Sequence, residues 1–540
     1  MPSTPTTKSQ VQAYRFVLRR MQSALVRKDA VMLHDPMRTH SRATIVGVCI
    51  AAIICVGFLV VGLLNPTGKA PENTGIIIGK PSGAVYVKWK DPNKGDVLIP
   101  TFNLASARLL MLARSSSGQN QAPGSNTDAG GGGQVVQPEV VPDDKLIGLP
   151  RERLTGIQDG PQFLPGSEAE RISANWAVCD AYQNDPALKP GANEDKIKTS
   201  VIGGVADLGP ELSESESLLV RDPRDNKTYL VYRKPATANV PNADTVRAEV
   251  DTTSRSIKDV LSLETRNKGT ERNITPGLLN AIPPVAPLSA PTIPGVGGRT
   301  ADGFEVGSIL EVERAGRILE YYVVLQDGVQ QIKRSTADLI RFTTKAGGAE
   351  IQQVGPAELP AKSPKGAVTD SSFPVQVPEV LDPINSPVAC LGWGLVGEGQ
   401  DADQQTKVHV GKRLPIDRFN ADGEPATIPI TSPGSAQIRI DSFYMPPGKA
   451  AVVRGATNRM NFQTGPIYLI SDRGVKYGVP DARSAHALGL DNQLPAPVSI
   501  MQLLPDGASL STTDVLQTYD TVPVEPGLFP SAAANPAGGG

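Results

Sequence analysis

At 540 residues with a formal charge of -2, the chain is long enough for several modules and carries no global basic field that would argue for nucleic acid. Aromatics are 5%, while Gly and Pro number 53 and 48, which excludes a simple helical bundle and favours a β- and turn-rich chain with flexible connectors. Charge balance and apolar content together exclude a wholly disordered chain.

The first 43 residues form a basic arm. Between Ser9 and Leu33 the apolar positions Val11, Tyr14, Val17, Leu18, Met21, Leu25 and Met32 recur at three- and four-residue spacing, and Ser9 is the expected N-cap. Arg15, Arg19, Arg20, Arg27 and Lys28 lie mainly off that stripe. Two docking partners fit such a helix: an anionic inner leaflet, or the cytosolic part of a neighbouring membrane protein.

From Thr44 to Leu64 no residue is charged. As a helix that run spans roughly 30 Å, the thickness of a bilayer's hydrocarbon core. A cleaved signal peptide is the competing reading, but the long arm precedes the run and Leu63-Leu64-Asn65-Pro66 is a poor cleavage site. The arm is rich in Lys and Arg whereas the flank Asn65-Pro66-Thr67-Gly68-Lys69 is nearly neutral. The positive-inside rule therefore predicts a cytosolic arm and an exported remainder.

Beyond the span, weakly similar segments recur. One comprises Gly307–Arg314, Tyr321–Leu325, the turn Asp327-Gly328-Val329 and Ser335–Ile340. A second comprises Gly448–Arg454, Ile467–Ser471, the turn Asp472-Arg473-Gly474-Val475 and Asp481–Leu490. Each reads as strand, turn, strand, turn, short helix, with glycine supplying the positive-φ turn position. Gly83–Trp89, Val97–Pro100 and Asn103–Leu110 give a shorter version. Ser217–Arg221 with Thr228–Arg233 gives another, after which the pattern fades.

The expected organisation is an α+β chain: arm 1–43, transmembrane helix 44–64, repeat 65–114, flexible Gly-rich insertion 115–144, central piece 145–200, repeat 201–282, Pro-rich linker 283–298, repeat 299–346, second central piece 365–440, repeat 441–515 and a disordered tail 523–540. Cys49 and Cys55 lie in the apolar span, where a thiol acts as a small hydrophobe. Cys179 and Cys390 are the two in the exported part, where oxidising conditions allow a disulfide; two separate buried thiols are the alternative.

Chemistry-bearing motifs are sparse. No Gly-x4-Gly-Lys-[Ser/Thr] loop occurs, and Gly79-Lys80-Pro81, Gly411-Lys412-Arg413 and Gly448-Lys449-Ala450 lack the hydroxyl that would hold magnesium. His34 and His40 fall in the arm, while His409 and His486 have no ligand-spaced companions, so neither metal nor cofactor is expected. There is no Gly-x-Ser-x-Gly elbow, and no catalytic residue is assigned.

Several stretches carry a resemblance. They are Thr7–Arg20, Asp35–Arg42, Asn65–Gly68, Asn103–Leu109, Trp176-Ala177-Val178-Cys179-Asp180, Tyr321–Gln330, Gly474–Pro480 and Ala487–Leu490. In this order and spacing the chain resembles the EccB family, the single-pass component of the type VII (ESX) secretion systems of mycobacteria and related actinobacteria. It departs from the family pattern at Gly156-Ile157-Gln158-Asp159-Gly160-Pro161, where Gly-Ile-Pro-Gly-Ala-Pro is usual.

The resemblance implies an inner-membrane protein with one transmembrane helix and an elongated periplasmic domain of four small α+β repeats around a disulfide-linked central domain. Cys179 and Cys390 match that disulfide position. The implied partners are the membrane components EccC, EccD and EccE, the mycosin protease and further copies of the chain through the periplasmic domain. The implied role is to scaffold the export machine and shape its periplasmic part, with EccC supplying ATP-driven work. Because the family is sometimes classed as ATPases, an ATP-hydrolysing secretion subunit is the alternative, and a periplasmic cell-wall-binding module is another.

Overall fold

The structure, a computed structural model, describes residues 7–27, 36–64, 74–117, 135–182, 197–234, 244–315, 318–344, 349–397 and 399–520. His34, Met32, Gly130–Gly133 and the expected tail 523–540 lie outside the described residues. The chain divides into two compact units, Met1–Ala70 with Val140–Ile147 and Pro71–Glu139 with Gly148–Gly540.

Among the described residues the first unit contains two α-helices. One is Lys8–Arg27. Its start is set by Thr7, not Ser9. The Thr7 carbonyl accepts from Gln10 N–H (2.9 Å) and Val11 N–H (3.1 Å), and Thr7 N–H donates to Gln10 Oε1 (2.9 Å). Thr7-Lys8-Ser9-Gln10 thus supplies the returning half of a capping box, which anchors the first turn. The second helix is Pro36–Leu64, and the apolar run Thr44–Leu64 is helical throughout. Pro36 stands at the first helical position, where a missing N–H costs nothing. Within it, Arg42–Val60 is long and apolar enough to cross a membrane, and none of that window is buried. Cys49 and Cys55 are free and exposed along it.

The second unit holds four modules of one plan: three antiparallel strands followed by a helix. The first comprises Gly75–Lys80, Val85–Asp91, Gly95–Thr101 and helix Leu104–Ser117. The second comprises Glu216–Arg221, Thr228–Arg233, Thr245–Val250 and helix Arg255–Val260. In the third, Ile309–Arg314, Ile318–Leu325 and Gly328–Ile332 precede helix Arg334–Thr344. In the fourth, Ala451–Ala456, Ile467–Ile470 and Lys476–Val479 precede helix Ala482–Leu488. In the last three a short strand then returns parallel to the first strand of its module: Arg272 opposite Val220, Gln352 opposite Leu310, and Leu494 opposite Val453. That return strand closes the module and escapes a reading based on hairpins.

The second module also restores what the sequence pattern loses after Arg233. Thr245–Val250 pairs antiparallel with Thr228–Arg233, Thr245 opposite Arg233. The intervening residues 235–243 exceed an ordinary hairpin loop, so no local turn signal announces the pairing. The stretch expected as a Pro-rich linker, 283–298, is docked: Pro284–Val285 pairs with Arg247–Ala248, Leu288 is buried in the second module's core and Ile293 in the third's. Of the expected insertion 115–144, residues 115–117 finish the helix Leu104–Ser117 and Glu139–Pro142 is a strand.

Modules pair in a nested order. The first and fourth share one core, in which Leu109, Leu110, Ala485 and Leu488 are all fully buried. The second and third meet through Ile257, Leu261 and Leu339, with Phe373 alongside. Half-modules with one apolar helix face cannot bury it alone, and pairing supplies the missing side of each core.

Glycines fix the turns. Gly474 sits at φ +79°, and an added Cβ would come 2.7 Å from the Phe443 ring of the neighbouring sheet. Gly474→Ala therefore meets both left-handed strain and a clash with a buried aromatic. It should lower stability by roughly 1–3 kcal/mol, read as an earlier thermal transition of the full-length protein.

Candidate functional site: the disulfide-linked central sheet

Trp176–Tyr182 and Val388–Val396 are mostly buried strands that come together from distant parts of the chain. They pair antiparallel, and the register puts Cys390 opposite Cys179 and Trp393 opposite Trp176. Outward from this pair the six-stranded sheet continues through Asp403–Gly411 on one side. On the other side it continues through Ile197–Gly203, Ser442–Tyr444 and Ile428–Pro429. Ser442–Tyr444, which the sequence reading gave to the last repeat, is thus a central strand, parallel to Ser200–Ile202. Leu154–Thr155, expected in the central piece, joins the first module's sheet beside Gly95–Thr101.

Cys179 and Cys390 are bonded, with Cα atoms 4.0 Å apart. Both are buried, at 0% and 2% exposure, so solution reductants have no direct path to the sulfurs. Facing positions on adjacent strands already bring two Cβ atoms together, so register alone aligns the thiols.

The residue after Cys179 holds the sheet to its helical neighbour. Asp180 is buried at 3% exposure. Its Oδ2 accepts from Thr275 N–H (2.8 Å), and its Oδ1 contacts the hydroxyls of Thr275 (2.7 Å) and Thr199 (2.9 Å). Those hydroxyls are themselves 2.9 Å apart. Burial raises the Asp180 pKa to about 6, the threonine bonds oppose that rise, and the nearby Asp441 carboxylate adds to it. Thr275 is also the N-cap of helix Pro276–Ala281, so one carboxyl ties two central strands to that helix. Nearby, Arg272 donates to the carbonyls of Ser386 (2.7 Å) and Leu381 (3.3 Å), and burial pulls its guanidinium down to about 10.

A second joint links the outer modules. Helix Ala482–Leu488 starts at Asp481, whose side chain accepts from Ser484 N–H (2.7 Å), and ends at the left-handed Gly489. Its final carbonyls are met by two arginines from elsewhere in the chain. Arg108 donates to Leu488 O (2.8 Å), and Arg171 donates to Gly489 O (2.8 Å) and to Asp491 O. Cations at a helix C-terminus satisfy orphan carbonyls and complement its dipole. Spacing in the sequence gave no signal for Arg108, Arg171, Asp180 or Thr275, because each acts on residues far along the chain.

Thr44 and Leu64 lie on one helix in the first unit. His409 Nδ1 lies 2.8 Å from Gly209 O, and His486 Nδ1 lies 3.0 Å from Asp491 Oδ1, so the two histidines serve different local contacts. Among the described residues no group of three or more His, Cys, Asp or Glu is placed to hold a metal.

Residues 3–524 match the family described as Type VII secretion system ESX-1, transport TM domain B. The chain belongs to the EccB family. It is 28% identical over 531 residues to the ESX-1 secretion system ATPase EccB1 of Mycobacterium tuberculosis (strain ATCC 25618 / H37Rv), covering 96% of each chain. Its fold matches a chain in the structure of an intact ESX-5 inner membrane complex at TM-score 0.64, with 25% identity and 99% of both chains covered. It also matches the fold in the structure of an EccB3 dimer from the ESX-3 core complex at TM-score 0.62 and 24% identity, covering 83% of this chain and all of that one. In this chain an α+β architecture of repeats around a disulfide-bearing centre accompanies, among the described residues, one N-terminal helix long and apolar enough to cross a membrane.

Two measurements probe the central sheet. Cys179→Ser removes a cross-link over 211 residues and should destabilise the larger unit by about 5 kcal/mol on a chain-entropy reckoning, whereas Cys49→Ser should change it by less than about 0.5 kcal/mol. Urea unfolding of both variants under non-reducing conditions makes the comparison.

For Asp180, the folded pKa lies above the unfolded value of about 3.9, so the folded state holds the extra proton between the two. Its contribution to stability therefore falls as pH rises from about 4 to about 6, by roughly 3 kcal/mol in total, and levels off above. Asp180→Asn has no proton to lose. The difference in urea-derived stability between wild type and Asp180→Asn should drift across that window and stay flat from pH 7 to 8.

Proposed function

We infer that this protein is a structural core component of a type VII secretion inner-membrane complex, scaffolding its assembly and shaping its periplasmic part. The observation that carries this reading is the match along 99% of both chains to a subunit chain of an intact ESX-5 inner membrane complex. The architecture supports it. Burial is spent on intramolecular cores and inter-module joints, and the disulfide lies inside the central sheet.

In this reading the helix through Thr44–Leu64 spans the plasma membrane once, the basic arm stays cytosolic and the large unit is periplasmic. EccC, EccD and EccE contact the membrane-associated part, the mycosin protease lies near the periplasmic unit, and further copies of the chain associate through that unit.

The name of the relatives, secretion system ATPase, favours a second reading, an ATP-hydrolysing subunit. Against it stands the lack of a Gly-x4-Gly-Lys-[Ser/Thr] loop. Lys80 instead precedes Pro81 at the end of a strand, and Lys449 donates to the Ala169 carbonyl in a joint between segments.

Mild-detergent affinity purification of the tagged full-length protein, followed by native sizing and mass spectrometry, separates the two. The scaffold reading expects a megadalton particle that contains a multi-ATPase-domain membrane protein and a many-span membrane protein. Purified alone, the chain should show no magnesium-dependent ATP hydrolysis above background. Hydrolysis that survives stringent washing and follows the isolated chain through sizing would replace the scaffold reading with the enzymatic one.

A further inference from the structure

The helix Lys8–Arg27 displays an apolar face that no described residue covers. Val11, Tyr14, Val17, Leu18, Met21 and Leu25 are between 41% and 81% exposed. At roughly 100° per residue these six fall within an arc of about 120°. Phe16 and Val26 stand outside it. Lys8, Arg15 and Arg19 border the arc on one side, Arg20 and Arg27 border it on the other, and the helix contains no Asp or Glu.

That charge pattern decides between occupants. A protein groove that accepts such a helix presents walls of its own, and acids on the helix would be compatible with them. A plane of anionic headgroups presents one sign on both flanks and rewards cations on both. Arginine and lysine stems run up from apolar surface to such phosphates.

Tethering adds to the case. Only residues 28–35 separate this helix from Pro36–Leu64, and that stretch reaches at most about 30 Å when fully extended. If Pro36–Leu64 spans a bilayer, the apolar face is held close to its surface at high effective concentration.

We propose that Lys8–Arg27 lies in the headgroup layer of an anionic leaflet, with the Val11–Leu25 stripe facing the acyl chains and the flanking cations facing lipid phosphates. The proposal rests on the reading of Pro36–Leu64 as a membrane span.

The test uses full-length protein carrying Cys49→Ser and Cys55→Ser, in which Cys179 and Cys390 remain bonded and unreactive. Single labels are placed through Leu18→Cys on the stripe and Gln12→Cys on the opposite face. The protein is reconstituted in vesicles of phosphatidylglycerol with phosphatidylcholine, or of phosphatidylcholine alone. In the anionic vesicles a lipid-borne quencher should act several-fold more strongly on the label at position 18 than on the label at position 12. The contrast should shrink in phosphatidylcholine, in high salt, and in a variant combining Arg15→Gln, Arg19→Gln and Arg20→Gln.

Equal quenching of the two labels in anionic vesicles by a chain that alkaline carbonate does not extract overturns the helix proposal alone. A contrast that ignores lipid charge and salt overturns the anionic surface as its partner. So does a contrast that appears only when detergent-extracted membrane proteins are added, which would assign the face to protein. Extraction of the chain by carbonate overturns the span reading and the proposal with it.

Discussion

The antiparallel pairing of Trp176–Tyr182 with Val388–Val396 is the contact on which the large unit depends. It closes a loop of 211 residues, and the whole of the second and third modules lies inside that loop. The first and fourth modules lie outside it and must meet each other. They do so through a common core and through Arg108 at the end of helix Ala482–Leu488, where Arg171, from the segment before the central strand Trp176–Tyr182, joins them. Closing so long a loop is entropically expensive for the backbone pairing alone, and the covalent bond restricts the unfolded chain in the same sense.

The joints around that pair are polar and buried, which makes them demanding. Asp180 engages two threonine hydroxyls and one backbone N–H, and Arg272 engages two carbonyls, each without a formally opposite charge in direct contact. Hydrogen bonds of this kind hold one geometry where apolar packing would accept several.

The modules show how far a local pattern reaches. The third and fourth were legible because their strands are short, their turns carry Asp-Gly or Asp-x-Gly, and the fourth's helix begins at a recognisable cap, Asp481. The second faded at Arg233 because its next strand arrives only after residues 235–243. Return strands such as Leu494–Pro497 were illegible for a related reason: a parallel strand is defined by its distant partner and has no turn beside it. The arm helix was foreseen from its spacing, yet its cap was displaced to Thr7, since backbone acceptance and the Gln10 side chain fix the first turn together.

Sequence by itself determined the apolar helix, the basic arm with its stripe, the strand-and-turn plan of the clearer modules, and, by motif order, the family. Each of these depends on neighbours a few residues apart, where periodicity and turn chemistry act directly. Only the tertiary structure decided that Ser442–Tyr444 belongs to the centre, that 283–298 is docked, that modules pair one with four and two with three, and that Asp180, Thr199 and Thr275 form one cluster. Those outcomes are set by which apolar faces remain to be covered and which buried polar atoms remain to be satisfied after the chain has closed on itself. No window of sequence contains both halves of such a contact.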